Sequence, residues 1–209
     1  MFRLMGTRRS YVAIVALALV MALFAAPTFA AAGNVLSPAE EPHGYSLTDM
    51  ARATAAFNTS DHAGPQPDIP FQMLVTTSDN TFTVQPGTQF YVPLVAADDS
   101  PPIIGDFPSD PSGATSYFFG DSELGGHDFK IEVDGQSTAI GPEYLVGPVE
   151  VAPLPDGGGT HYMTLAVFLT SLSKGRHTVA ISGQFTGQAV KNFFPEGINF
   201  RISYTVIVQ

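Results

Sequence analysis

The sequence predicts an all-β protein: an antiparallel β-sandwich of jelly-roll-like form with one short N-terminal helix. Three observations predict it. Stretches of alternating apolar and polar residues recur along the last two thirds of the chain, and a period of two is the mark of a strand with one face buried. Gly and Pro, 20 and 17 of 209 residues, interrupt these stretches as often as a repeatedly turning chain requires. No strand–helix–strand alternation, the pattern that builds a parallel sheet, is visible.

Taken in order, residues 1–32 read as a cleavable bacterial signal peptide. Arg3, Arg8 and Arg9 precede an uncharged apolar run from Tyr11 to Ala26, and Ala30-Ala31-Ala32 offers the small-x-small spacing of a cleavage site. The cut falls before Gly33 or just after Ala30. A membrane anchor is the rival reading, but the run is shorter than the roughly 20 apolar residues of a spanning helix and meets Pro27. Thr7-Arg8-Arg9-Ser10-Tyr11-Val12 resembles a twin-arginine motif, whereas the strongly apolar run suits ordinary Sec export, so both routes stay open. The expected product is extracellular or periplasmic, with no stable membrane insertion after cleavage.

Residues 33–70 form an N-terminal helix and a Pro-rich linker. Ser46 caps the helix, Asp49 completes a capping-box pair, and Leu47, Met50, Thr54 and Phe57 fall on one face. Pro65, Pro67 and Pro70 then deny any regular element.

Residues 71–209 form the β domain. Phe71–Thr76 and Thr81–Val84 are short strands, and Pro86-Gly87 turns into a third at Phe90–Ala96. Residues 98–116 are expected to be a long loop. Phe129, Ile131 and Val133 alternate with Lys130 and Glu132, and Asp134-Gly135 marks a tight hairpin turn. Thr138–Ile140 and Tyr144–Val149 are weaker strands, and Gly157-Gly158-Gly159 is a loop. Met163–Leu172 is a strand, followed by a turn at Ser173-Lys174-Gly175. His177, Val179 and Ile181 line one side of the next strand. Phe200, Ile202, Tyr204, Val206 and Val208 line one side of the last.

Without its leader the chain keeps about 177 residues, enough for one domain with a substantial core. Six Lys and Arg then face 19 acids, a net charge near −13. Such a surface repels phosphate backbones, so nucleic acid is not an expected partner. There is no cysteine, so burial of apolar surface must do the work that disulfides do in many exported proteins.

Several segments together resemble a family of secreted bacterial β-sandwich proteins with no assigned function. They are Pro86-Gly87-Thr88-Gln89-Phe90-Tyr91-Val92-Pro93-Leu94, Val133-Asp134-Gly135, Leu172 to Gly183, and Tyr204-Thr205-Val206-Ile207-Val208. Members of that family commonly open with a Trp-rich segment, and this chain has no Trp. The resemblance implies a fold and an exported location, and no mechanism.

Four constellations carry chemistry by residue type. Gly120-Asp121-Ser122-Glu123 resembles the nucleophile block of certain esterases, but no Asp-x-x-His follows it to activate the serine. His43, His62, His127, His161 and His177 include no His-x-His pair of the kind that would bind a metal from one strand face. Glu123, Glu132, Glu143, Glu150 and Glu196 are glycosidase carboxylates by type alone. The acidic loops, Asp98, Asp99, Asp106, Asp110 and Asp121 together with His127, are the candidate ligand patch, with hard oxygens suited to Ca²⁺. No catalytic or cofactor-binding residue is assigned. The expected function is a binding, surface-associated or structural envelope role without enzymatic activity. The alternatives are a secreted hydrolase of glycans or esters and a Ca²⁺-stabilised adhesion or binding module.

Overall fold

The computed structural model describes residues 34–209, so the leader assigned to residues 1–32 lies outside the described residues. Helix α1 spans Leu47–Thr59. Its first turn carries the predicted capping box: the Ser46 hydroxyl accepts from Asp49 N at 3.1 Å, and the Asp49 carboxylate accepts from Ser46 N at 3.0 Å. Two of the amides that a helix start leaves without partners are thereby satisfied. Leu47, Met50, Ala51, Thr54, Ala55 and Phe57 are buried, which is the face read from the spacing.

Strands β1 (Gln72–Met73), β2 (Thr81–Val84) and β3 (Phe90–Asp98) follow, then helix α2 (Pro111–Phe119). Next come β4 (Gly126–Val133), β5 (Gln136–Ala139), β6 (Leu145–Glu150) and β7 (His161–Leu169). The chain ends with β8 (Gly175–Phe185), the single-turn helix α3 (Gln188–Lys191) and β9 (Ile198–Val208). These strands form two mixed sheets, one in the order β1-β3-β7-β6 and one in the order β2-β9-β8-β4-β5. The fold is β-rich, with few helices.

Two expectations need correction. Residues 98–116 are not loop throughout, because α2 begins within them. Asp110 caps it, its Oδ1 accepting from Ser112 N at 2.8 Å, and Pro111 fits the first turn, where no amide partner is needed. Ala114, Tyr117 and Phe118 are its buried residues. The N-terminal helix is therefore not the sole one. Each sheet also carries a parallel pair at one edge, β1 with β3 and β2 with β9. Both come from residues 72–84, which enter first one sheet and then the other. A hairpin cannot make such a pair, but a chain that visits the opposite sheet between the two partners can.

The longest ladder is β8 with β9, antiparallel from Gly175↔Val208 to Phe185↔Ile198. The turn between β4 and β5 puts Asp134 at φ 50° and Gly135 at φ 81°, the left-handed pair that a two-residue hairpin demands. Inner residues of both sheets, among them Tyr91, Phe168, Ile131, Val179, Ile181 and Val206, join one hydrophobic core. Strand β7 is buried at eight of its nine positions, because α1 covers the far side of its sheet. A strand enclosed on both faces loses alternation and reads as a continuous apolar run. Asn58 of α1 reaches across and donates from Nδ2 to the Tyr162 hydroxyl at 2.8 Å. Burial pushes the Tyr162 phenol up to about 12.

Candidate ligand cleft

A cleft of about 330 Å³ lies where the end of β3 in one sheet faces the end of β8 and the start of β9 in the other. Ala96, Ala97 and Asp98, at the end of β3, supply one wall. Phe185, the last residue of β8, and Ile198, the first of β9, supply the other. Tyr117 of α2 and Val190 of α3 close its sides, and Ser100, Ile104 and Asp156 complete the rim.

The α3 wall is seated by close backbone packing. Residues 186–189 bond to residues 121–125 through Thr186 N to Gly125 O (3.1 Å), Gly187 N to Leu124 O (2.9 Å), Gln188 N to Asp121 O (2.8 Å) and Ala189 N to Glu123 O (3.2 Å). Gly187 makes this possible: a Cβ there would lie 2.1 Å from the Glu123 carbonyl oxygen. The opposite wall is strapped by Tyr117, whose hydroxyl donates to Ile104 O at 2.7 Å, and by Glu123, whose Oε2 accepts from Asp106 N at 3.0 Å. Burial raises the Tyr117 phenol far above its ordinary value, and the charges of Glu123 and Asp98 push the same way. The cleft is thus apolar inside and negative at its rim.

Of the six residues in the predicted ligand patch, Asp98 alone lines this cleft, and its Oδ1 accepts from Ser100 N at 2.8 Å. Asp99 is committed elsewhere: Oδ1 accepts from Thr160 N (2.6 Å) and His161 N (2.8 Å), and Oδ2 faces His161 Nδ1 at 2.8 Å. Partial burial works to raise its pKa, but the bonds from His161 and Thr160 outweigh this and hold the carboxyl below the usual carboxylate range. Asp106 is exposed and enters the strap through its backbone alone. Asp110 is the α2 cap, with its pKa lowered by the Ser112 hydroxyl and amide. Asp121 is exposed and lends its carbonyl to Gln188 N. His127 sits between Asp128 (2.9 Å) and Thr186 (3.0 Å). Among the described residues, no three His, Asp or Glu side chains converge in a metal-ligating arrangement. No hydrogen bond joins Ser122 to a histidine among the described residues.

Reading along the chain missed Ser100, Tyr117, Asp156 and Val190. The Ser100 hydroxyl donates to Asp156 Oδ1 at 3.2 Å and accepts from Gly159 N at 3.2 Å, tying the 98–102 segment to the Gly-rich loop. These residues come from separate segments, so no spacing rule unites them. One signal was available: Ile103 is an apolar residue inside the stretch read as a long loop, and Phe193 and Phe194 are apolar residues in a stretch to which no element was assigned. They are the exposed large hydrophobics among the described residues, at 43%, 57% and 47% exposure. Each lies near a cleft residue in sequence. Ile103 precedes Ile104, and Phe194 N bonds back to Val190 O at 2.8 Å.

No helix among the described residues is long and apolar enough to cross a membrane. No protein-family model matches the chain, and no curated protein matches it. Among solved structures, a cysteine protease inhibitor from Entamoeba histolytica resembles it at 12% identity, over 68% of this chain and 99% of the other, with a TM-score of 0.31. Amebosin resembles it at 16% identity, over 70% of this chain and 100% of the other, with a TM-score of 0.24. At these TM-scores neither likeness carries an argument about fold or function.

Proposed function

We propose that the protein is an exported, non-enzymatic β-sandwich that captures a protein or peptide segment at the cleft between its two sheets. The segment would present an apolar side chain to the cleft and a basic residue to the rim. One observation carries this reading: the exposed large apolar residues, Ile103, Phe193 and Phe194, all lie in segments that also supply cleft residues. Exposed apolar surface beside a concave site is the usual sign of a partner. Asp98 and Asp156 at the rim choose the sign of that partner's charge, and a net charge near −13 without the leader reinforces the choice. Export rests on the three-part layout of residues 1–32, and the sandwich on the single core shared by both sheets.

The test is an amide-resolved NMR titration with two capped dipeptides, acetyl-Phe-Lys-amide and acetyl-Phe-Glu-amide. The lysine peptide should shift Ala97, Tyr117 and Val190 and bind about tenfold tighter than the glutamate peptide, as a rim of two carboxylates predicts. Ala97→Phe, which fills the cleft, should abolish those shifts. Equal binding of the two peptides, or shifts that survive Ala97→Phe, would sink the proposal.

A further inference from the structure

The outer face of the β2-β9-β8-β4-β5 sheet carries a second concavity that is independent of the cleft. Strand register puts Ala139, Lys130, Ser182 and Arg201 side by side in one row across four strands. The next pair along the same face is Gln184 and Asn199. Ser182 is a short side chain between the long Lys130 and Arg201, and Ala139 is another at the β5 end of the row, which leaves a trough of about 450 Å³. Ser137 and Phe200 also line it, and Asp128 is its one acidic lining residue.

Two features suit the trough to a ligand. The first is charge: two of the six Lys and Arg that lie outside the leader stand on either side of Ser182. Arg201 turns one arm to Glu132. The ammonium of Lys130 has neither a hydrogen-bond nor an ion-pair partner among the described residues. A lone cation of this kind on an acidic protein marks a place where an anion is favoured. The second feature is Ser182. It is 9% exposed, it lines the trough, and its hydroxyl has no hydrogen-bond partner. A buried hydroxyl left unpaired costs stability, and nearly all such groups find a partner. One bound between Lys130 and Arg201 would supply it.

The geometry points to a binding site for a carboxylated sugar residue at this trough. Its carboxylate would lie between Lys130 and Arg201 and accept from the Ser182 hydroxyl. Its ring hydroxyls would meet the Gln184 and Asn199 amides and Ser137. A single acidic sugar fits better than a long polyanion, because the trough offers one pair of cations and the rest of the surface repels continuous negative charge.

The test is an NMR titration of the protein with D-glucuronate, D-glucose, acetate and inorganic sulfate in separate arms. Glucuronate should give saturable shifts at Lys130, Ser182, Gln184 and Arg201 in the millimolar range, with glucose, acetate and sulfate each at least about fivefold weaker. Lys130→Gln should weaken glucuronate at least about fivefold with an unchanged melting temperature. Ser182→Ala should weaken it while the melting temperature stays level or rises, because the orphan hydroxyl is gone. A purely structural serine would show no loss of binding. Sulfate or acetate binding as well as glucuronate would reduce the trough to a bare anion site and overturn the proposal. So would the absence of shifts at tens of millimolar glucuronate, or affinities indifferent to both substitutions.

Discussion

His177 offers the sharpest quantitative test of the fold. It stands near the start of β8 with a side chain only 11% exposed. Its Nδ1 faces Asp134 Oδ2 at 2.7 Å, and its Nε2 faces the Ser173 carbonyl at 2.8 Å. Both partners are acceptors, so only the doubly protonated ring satisfies both. The Asp134 hydrogen bond raises the His177 pKa above its ordinary 6.5, against a smaller opposing effect of burial. Asp134 is held below its ordinary 3.8: its partial burial acts to raise it, but the bonds from His177 and from Thr178 N outweigh that. The signs follow by linkage. The raised histidine contributes stability that is complete below about pH 6.5 and is lost as pH climbs through its folded value. The lowered aspartate contributes stability present above about pH 3.8 and lost as pH falls through its folded value. The pair is therefore strongest between those limits. A charge-assisted hydrogen bond is worth about 1.5–3 kcal/mol. Asp134 is 49% exposed, so solvent screening reduces this to about 1 kcal/mol. Urea unfolding at pH 5 and pH 8.5 should show wild type losing about that much, a shift of roughly 2–4 °C in melting temperature. Asp134→Asn keeps a residue tolerant of positive φ and removes the charge, so it should flatten the difference. An Asp134→Asn protein with the full wild-type pH dependence would refute the assignment.

Four further outcomes follow from the packing and from the leader. Phe168 lies 4.9 Å from Phe71 and 5.7 Å from Tyr91 between ring centroids, and it is nearly fully buried. Phe168→Ala should cost about 3–5 kcal/mol, read by chemical denaturation. Ser46→Ala removes the α1 capping box and should cost about 1 kcal/mol, with faster hydrogen exchange confined to the first turn of the helix. Tyr117→Phe deletes the strap to Ile104 O and should cost about 1 kcal/mol while raising exchange at residues 103–107. If residues 1–32 are the proposed leader, the chain expressed in a bacterial host should begin at Ala31 or Gly33 by mass spectrometry, and retention of Met1 would refute cleavage.

The parts of the fold that depend on near neighbours were readable from the chain. Ser46 and Asp49 act within one turn, and Asp134-Gly135 need only each other, so local chemistry announces them. Strand β9 buries one face and its side chains alternate accordingly, whereas β8 alternates in residue type while residues 179–183 are all buried. Helix α2 escaped notice because Pro111, Ser112 and Gly113 look like loop residues, while its anchors Ala114, Tyr117 and Phe118 are too few to declare a period. The parallel pairs join residues far apart in sequence, such as Thr81 and Thr205, and nothing local encodes them. The same holds for the cleft. Asp98 stood out as one acid among several, but Asp156 and Val190 acquire a role only when distant segments meet.

Strand β9 lies between β8 and β2, so it supplies hydrogen bonds to the two neighbours at once. Until residues 198–208 have been synthesised, both of those neighbours present bare edges to solvent and to other chains. A polypeptide emerging amino end first cannot finish this sheet early. Completion of β9, and not the appearance of the first strands, sets the moment at which this sheet becomes safe from self-association. Proteases and chaperones would therefore encounter an intermediate that holds every earlier strand yet is still open.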